Sequence, residues 1–299
     1  MHGRVRVRTS AEKEAAKNKE REATLTKFKK AMQVLKNYDK LSMEQVLPVS
    51  EQLLYKQPDL VLAWNIRRDN FDKINLENEL DLTFCCLKEN PKSYSVWFHR
   101  RLVLDEIAKT KKEIKPEEKN EEEIKPHPCY HKELQTVDWY LSLDQRNFHA
   151  WDHRRWLVKK LNRSIDDELS VTKSLIDKDF SNHSAWHYRS SLLKQKHGET
   201  LNFETVKFEL DYVTNAFYVD PEDQAGWIYY DWLLSICPEE LIAEQIQSLK
   251  DLNDCEPGSK YVMLKLLKIG GDKIDRKSFV EELIKIDKQR RNYYETLKI

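Results

Sequence analysis

The chain has 299 residues, with 51 Lys and Arg against 51 Asp and Glu, so its formal charge is zero while 34% of it is charged. That balance argues against the basic surface of a nucleic-acid binder, and no run approaches the roughly 18 apolar residues of a membrane span. Six glycines and nine prolines are too few for the tight turns of sandwiches and barrels or for glycine-rich phosphate loops, since ordinary chains carry roughly 12% of the two together.

Five cysteines (Cys85, Cys86, Cys129, Cys237 and Cys255) are odd in number and form no CxxC. That is the usage of a reducing compartment, with neither a disulfide framework nor a zinc knuckle. The first residues lack the apolar core of a secretory signal. An all-α, soluble, cytoplasmic chain is expected, with no nucleic-acid partner and no membrane span.

In chain order, residues 10–36 read as a charged helix with a narrow apolar stripe of Leu25, Phe28, Met32 and Leu35, with Ser10 and Glu14 flanking its start. Residues 1–40 are separated as this charged N-terminal segment, and 41–299 as a helical-repeat domain. A helix over 42–56 opens the first pair. Further first helices of pairs are expected at 79–89, 132–143, 168–178 and 205–219, where apolar residues fall at helical spacing, as Leu134, Val137, Tyr140 and Leu141 do. Residues 109–128, KTKKEIKPEEKNEEEIKPHP, are almost all charge and proline and read as an exposed loop that buries too little apolar surface to order itself. A sixth, degenerate unit carries Glu256-Pro257 and Met263, and 277–297 reads as a closing charged helix.

Five of the eight tryptophans recur in one context: Trp64, Trp97, Trp151, Trp186 and Trp227. A small or β-branched residue precedes each (Ala63, Val96, Ala150, Ala185, Gly226). Six positions earlier stand Pro58, Pro91, Gln145, Phe180 and Pro221. Three positions later come Arg67, Arg100, Arg154 and Arg189, with Tyr230 in the fifth copy, and seven later the residue is always apolar. Trp, +3 and +7 share one helix face. The separations of 33, 54, 35 and 41 residues fit a helix–turn–helix unit of about 34 residues, the longest one absorbing the insertion at 109–128. Such pairs cannot bury their faces alone, so they stack. The expected architecture is a right-handed solenoid or crescent of TPR-like helix pairs, an α–α superhelix.

Tryptophan at a fixed repeat position is what a solenoid core needs. The arginines admit two readings, and the sequence leaves both open. Their stems could pack on Trp while the guanidiniums tie down carbonyls of the next unit, or their charges could line a concave face for a phosphate-bearing ligand or acidic partner. His149 with His153, and His183 with His187, are i, i+4 pairs on shared faces. No HExxH glutamate accompanies them, and Arg154, Arg155 and Arg189 crowd the same turns, so hydrogen-bonding or phosphate-contacting histidines are expected rather than zinc ligands. Cys85 and Cys86 are expected in the core. Residues 121–123 and Asp166-Asp167-Glu168 read as solvated charge or helix starts. No GxSxG or P-loop suggests a self-contained active site.

The pattern P-x5-W-x2-R, with the strings DQRNFHAWDHRRW over 144–156 and FSNHSAWHYRS over 180–190, resembles the protein prenyltransferase α-subunit family from residue 42 to about 267. The opening Met1-His2-Gly3-Arg4, the charged helix after it, and the wording RNFHAW and FSNHSAWHYRS are similar to the type II, Rab-directed branch. The farnesyl and type I α subunits usually have Lys and Tyr where this chain has Arg146 and Phe148, and an acidic, proline-rich N-terminal extension. The resemblance implies a crescent wrapped around a β subunit in an obligate heterodimer, the β subunit holding Zn²⁺ and most of the isoprenoid pocket. It implies transfer of geranylgeranyl from geranylgeranyl diphosphate to C-terminal cysteines of Rab GTPases presented by an escort protein.

Matched residue by residue, the resemblance places Arg146, Asn182 and His183 on the diphosphate side, and Phe148 lacks the hydroxyl that Tyr offers elsewhere. It leaves Trp64, Arg67, Trp97, Arg100, His149, Trp151, His153, Arg154, Trp186, Arg189 and Trp227 as scaffold and interface, and makes His2 a reversible ligand of the partner's zinc. A compact form is expected, without the immunoglobulin-like and leucine-rich domains of animal type II subunits. The rival readings are the α subunit shared by farnesyltransferase and the type I enzyme, and a non-catalytic repeat scaffold that binds acidic tails.

Overall fold

A computed structural model describes residues 11–110 and 126–298. The described residues are helical, with no strand among them. His2, Ser10 and the stretch 111–125 of the expected loop lie outside the described residues; of that loop's ends, Lys109 and Thr110 close one helix and Pro128 opens the next.

The chain divides into two compact units, one up to Asn162 and one from Arg163. The first begins with α1 (Ala11–Lys36), whose last turns pack on the first pair. Leu35 of its stripe is fully buried, whereas Leu25 is 51% exposed. The pairs are α2 (Met43–Lys56) with α3 (Val61–Arg68), α4 (Leu76–Glu89) with α5 (Tyr94–Thr110), and α6 (Pro128–Leu143) with α7 (Phe148–Leu161). The second unit pairs α8 (Ile165–Lys178) with α9 (His183–His197), α10 (Phe203–Phe217) with α11 (Gln224–Ser235), and α12 (Glu239–Cys255) with α13 (Lys260–Ile269), and closes with α14 (Arg276–Ile286) and α15 (Arg291–Glu295). Two helices of a pair are antiparallel neighbours because a turn of four to six residues joins most of them.

Several first helices start two to four residues earlier than apolar spacing alone indicates, because polar caps extend them. Asn75, Ser164 and Asn202 accept hydrogen bonds from the backbone N–H three residues on, at 3.0, 3.1 and 2.8 Å. Pro128 occupies the first position of α6, where its missing N–H costs nothing.

The tryptophans explain the rest of the repeat. Each indole Nε1 donates to the carbonyl six residues earlier: Pro58 at 2.7 Å, Pro91 at 2.9 Å, and Gln145, Phe180 and Pro221 at 2.8 Å. The indole thus pins the inter-helix turn to the second helix while burying its ring. Only a carbonyl is required at that position, so proline is accepted there. The small residue before Trp is a packing constraint: a Cβ on Gly226 would lie 2.9 Å from Phe217 Cε1, and Phe217 stacks on Trp227 with centroids 3.6 Å apart. Met263 takes the Trp position of the sixth pair and is fully buried. Cys86 is buried, hydrogen-bonded to the Leu54 carbonyl, and its thiol is pushed up to about 12 by burial, whereas Cys85 is half-buried.

The single helix expected over 277–297 is interrupted. α14 ends at Ile286, a short 3-10 turn covers Lys288–Arg290, and α15 follows. Tyr294 is the cause: it is fully buried beside Met263, Leu267, Val280 and Leu283, and its hydroxyl donates to Asp287 at 2.9 Å. Burying one aromatic outweighs continuing a helix with little apolar surface.

Candidate functional site

A second column of residues underlies the tryptophan column. Glu79, Glu133, Glu168 and Glu209 stand 18 positions before Trp97, Trp151, Trp186 and Trp227, and all four are buried. Each meets a side chain 20 residues on, in its own pair. His99 Nε2 lies 2.7 Å from Glu79 and His153 Nε2 2.8 Å from Glu133, while the hydroxyls of Tyr188 and Tyr229 donate to Glu168 and Glu209 at 3.3 and 2.7 Å.

The Arg column supplies the counter-charge from the preceding pair. Arg67 grips Glu79 in bidentate fashion at 2.8 and 2.6 Å, Arg100 grips Glu133 at 2.7 and 2.6 Å, and Arg189 grips Glu209 at 2.8 and 2.6 Å. The Nη1 of each also donates to the first helix of its own pair. Its acceptors are the Leu47, Leu80 and Leu169 carbonyls at 3.1, 2.7 and 3.0 Å and the Ser50, Thr83 and Thr172 hydroxyls at 2.7, 2.8 and 3.3 Å. Arg154 is equally buried and donates to Asp138. In the fifth copy an uncharged pair fills the place, Tyr230 donating to Gln245 at 3.1 Å. These guanidiniums bolt successive helix pairs together and do not line an open face. Sequence reasoning missed the glutamate column and read Glu168 as solvated charge or a helix start; it lies in the first turn of α8 but is buried. The fixed offset of 18 from Trp was the signal.

Burial alone would raise the carboxyls of Glu79 and Glu133, but their Arg and His partners hold both below the usual carboxylate range, Glu133 at about 2. Burial also pushes His99 and His153 below the ordinary imidazole value despite the adjacent carboxylates. The Glu79 and Glu133 rungs are therefore arginine cation, carboxylate and neutral imidazole. Arg101 Nε donates to His153 Nδ1 at 3.1 Å, which assigns the ring proton to Nε2, facing Glu133. With both its nitrogens engaged, His153 cannot join His149 in a chelate. His149 itself is buried against Tyr94 and Phe148, at centroid distances of 4.1 and 4.0 Å. No group of three or more His, Cys, Asp or Glu side chains placed to hold a metal exists among the described residues.

The outward-facing candidates sit at the starts of second helices. Arg146 is exposed in the turn before α7 and makes no ion pair among the described residues. Its backbone N–H donates to Asp144 at 2.9 Å, and Asp144 in turn pairs with Lys92 of the preceding turn at 3.1 Å. Lys92, which the sequence reading passed over, therefore shares one rim with Arg146. Asn147 caps α7, accepting from His149 and Ala150 N–H at 3.1 and 3.2 Å, and Phe148 is 55% exposed. In the second unit Asn182 caps α9 by accepting from Ala185 N–H at 3.0 Å, and its buried Nδ2 has no acceptor among the described residues. His183, half-buried, opens a groove of about 300 Å³ between α9 and α11 that also takes in His187, Lys194 and Ile228.

Stacked helix pairs, three of whose junctions are locked by a buried Arg–Glu rung while Arg146 and Lys92 stand outward in turns, define an α-helical repeat protein. The protein prenyltransferase alpha subunit repeat matches at residues 76–107, 130–161 and 165–196, the three pairs that carry both a column glutamate and a column arginine. The geranylgeranyl transferase type-2 subunit alpha of Dictyostelium discoideum is 30% identical over 99% of both chains. The subunits of that name from Homo sapiens and Rattus norvegicus are 35% and 36% identical over 78% of this chain, which spans only 42% of their length. In fold, the Candida albicans protein geranylgeranyltransferase-I complexed with GGPP is similar, with a TM-score of 0.67 at 24% identity, covering 90% of this chain and 87% of that one. The chain belongs to the protein prenyltransferase α-subunit family.

Proposed function

We propose that the chain is the α subunit of a heterodimeric type-2 geranylgeranyltransferase. The observation that carries this reading is the end-to-end match to the Dictyostelium subunit of that name. The rungs support it: they commit the repeat arginines to the scaffold and leave Arg146 and Lys92 facing outward. In this reading the chain works only with a β subunit, in the cytoplasm, and the pair transfers geranylgeranyl from its diphosphate to C-terminal cysteines of Rab GTPases presented by an escort protein. The catalytic zinc is assigned to the β subunit, as the family resemblance implies.

The chain's own contribution is electrostatic. Arg146 stands beside the leaving diphosphate, whose negative charge grows as the C–O bond breaks; a preorganised cation there stabilises the transition state more than the ground state. Lys92, held to the same turn through Asp144, adds a second positive charge. Asn182 offers a spare amide donor and His183 a ring N–H on the diphosphate side, and His2 is a reversible ligand of the partner's zinc, displaced by substrate. Co-purification from native cells followed by a prenyl-transfer assay tests the reading. A zinc-bearing partner and transfer to a Rab only with escort protein are expected. Transfer to a CaaX peptide alone would reassign the chain to the type I and farnesyl branch, and the absence of any prenyl-transferring partner would leave a repeat scaffold.

A further inference from the structure

Two neighbouring repeats differ at one place in a way that exposes a vacancy for a partner's charge. In the later repeat, Arg101 of α5 donates Nε to His153 Nδ1 at 3.1 Å and pairs Nη2 with Asp152 at 2.6 Å. One repeat earlier the same three positions are Arg68, His99 and Phe98. Phenylalanine has replaced the acid. Arg68, half-buried at the end of α3, has no ion pair among the described residues; it leans 5.4 Å over the Phe98 ring and donates only to its neighbour Asn65. His99 Nδ1, the counterpart of the nitrogen Arg101 serves, is buried with no hydrogen-bond partner among the described residues, on a residue with no exposure.

A half-desolvated guanidinium without a carboxylate, an orphaned imidazole nitrogen and an exposed ring (Phe98 is 55% exposed) lie together. Burial already depresses the Arg68 guanidinium below its ordinary value, so an acidic contact there would meet little competition from water.

We propose that Arg68 and Phe98 form a docking site for an Asp or Glu side chain of the catalytic partner subunit, taking the place Asp152 takes in the next repeat. The incoming carboxylate pairs with Nη2 of Arg68, the guanidinium turns so that Nε serves His99 Nδ1, and the carboxylate's flanking apolar atoms cover the Phe98 ring. This rests on the α-subunit reading, and it adds one chemically defined contact to that assembly.

The test is affinity for the purified β subunit, measured by calorimetry on the full chain. Phe98→Asp would supply the acid internally and occupy Arg68, whereas Phe98→Asn removes the ring without adding charge. Phe98→Asp should bind about tenfold more weakly than Phe98→Asn, and Arg68→Gln about tenfold more weakly than wild type. Melting of Phe98→Asp should be no lower than that of Phe98→Asn, since the new acid completes an internal pair. Equal affinities of the two position-98 variants, with Arg68→Gln binding like wild type, would overturn the proposal. Failure of the wild-type chain to bind the β subunit would instead count against the α-subunit reading. Should Phe98→Asp not fold, Arg68→Gln decides alone.

Discussion

At the scale of single residues, the rungs concentrate most of the electrostatic risk in the molecule. Glu133 and Arg100 are buried to 2% and 5% exposure, so removing one charge strands the other. Glu133→Gln or Arg100→Ala should cost about 3–5 kcal/mol in thermal or denaturant unfolding, while a paired apolar replacement of both should cost much less. The same groups set the response to acid. His99 and His153 lie below the ordinary 6.5, and Glu79 and Glu133 below the ordinary 4.5. Unfolded histidines take up protons as pH falls through 6.5 while the native ones stay neutral, so the unfolded state binds more protons and stability declines from there downward. The carboxylates add a second decline below 4.5. Melting temperatures between neutral pH and the carboxylate range should fall in these two stages, and His99→Gln with His153→Gln should weaken the first, leaving the share of His149, which burial also lowers. Arg146 lies outside the rungs, so Arg146→Ala should leave melting unchanged and, under the function proposed above, slow prenyl transfer by a factor equivalent to about 1–3 kcal/mol of transition-state stabilisation.

At the scale of elements, the turn between two helices of a pair is tied to the second helix by an indole hydrogen bond with the ring buried behind it. Trp186→Phe keeps most of the apolar area and loses the bond to Phe180 O, which should cost about 1 kcal/mol. Gly226→Ala is the opposite kind of change, since it adds an atom 2.9 Å from Phe217 Cε1. It should cost about 1–3 kcal/mol through displacement of the Phe217–Trp227 stack, readable as a lowered melting temperature. The helix pairs and the Trp and Arg columns were legible in the sequence because one rare residue marks each copy. The glutamate column was not: Asp and Glu make up 51 of the 299 residues, so four acids at a fixed offset across an intervening turn do not stand out until their burial is seen. The break after Ile286 was hidden for a related reason. One tyrosine's docking decides it, and local pattern carries no trace of that. For the candidate site, Arg146, Asn182 and His183 came from resemblance, whereas Lys92 became visible only through Asp144.

At the scale of the whole molecule, the rungs obey a rule of ends. The first pair has the fully buried Val46 at the glutamate position, 18 residues before Trp64, and the last rung is the uncharged Tyr230–Gln245 pair. Gln245→Glu should therefore bury a carboxylate without a cation and lower stability by several kcal/mol. Adding Tyr230→Arg should recover most of the loss, measured by comparing the single and double variants in denaturant.

Each of the three charged rungs takes its arginine from one pair and its glutamate from the next, in the same bidentate geometry. An arm shortened by one whole pair would still find its counterpart: with residues from α4 and α5 removed in register, Arg67 would face Glu133. Lineages could therefore lengthen or trim this subunit in whole-pair steps without inventing a contact, whereas an indel inside a pair would leave an ion without its mate. Heritable change in arm length should come in quanta.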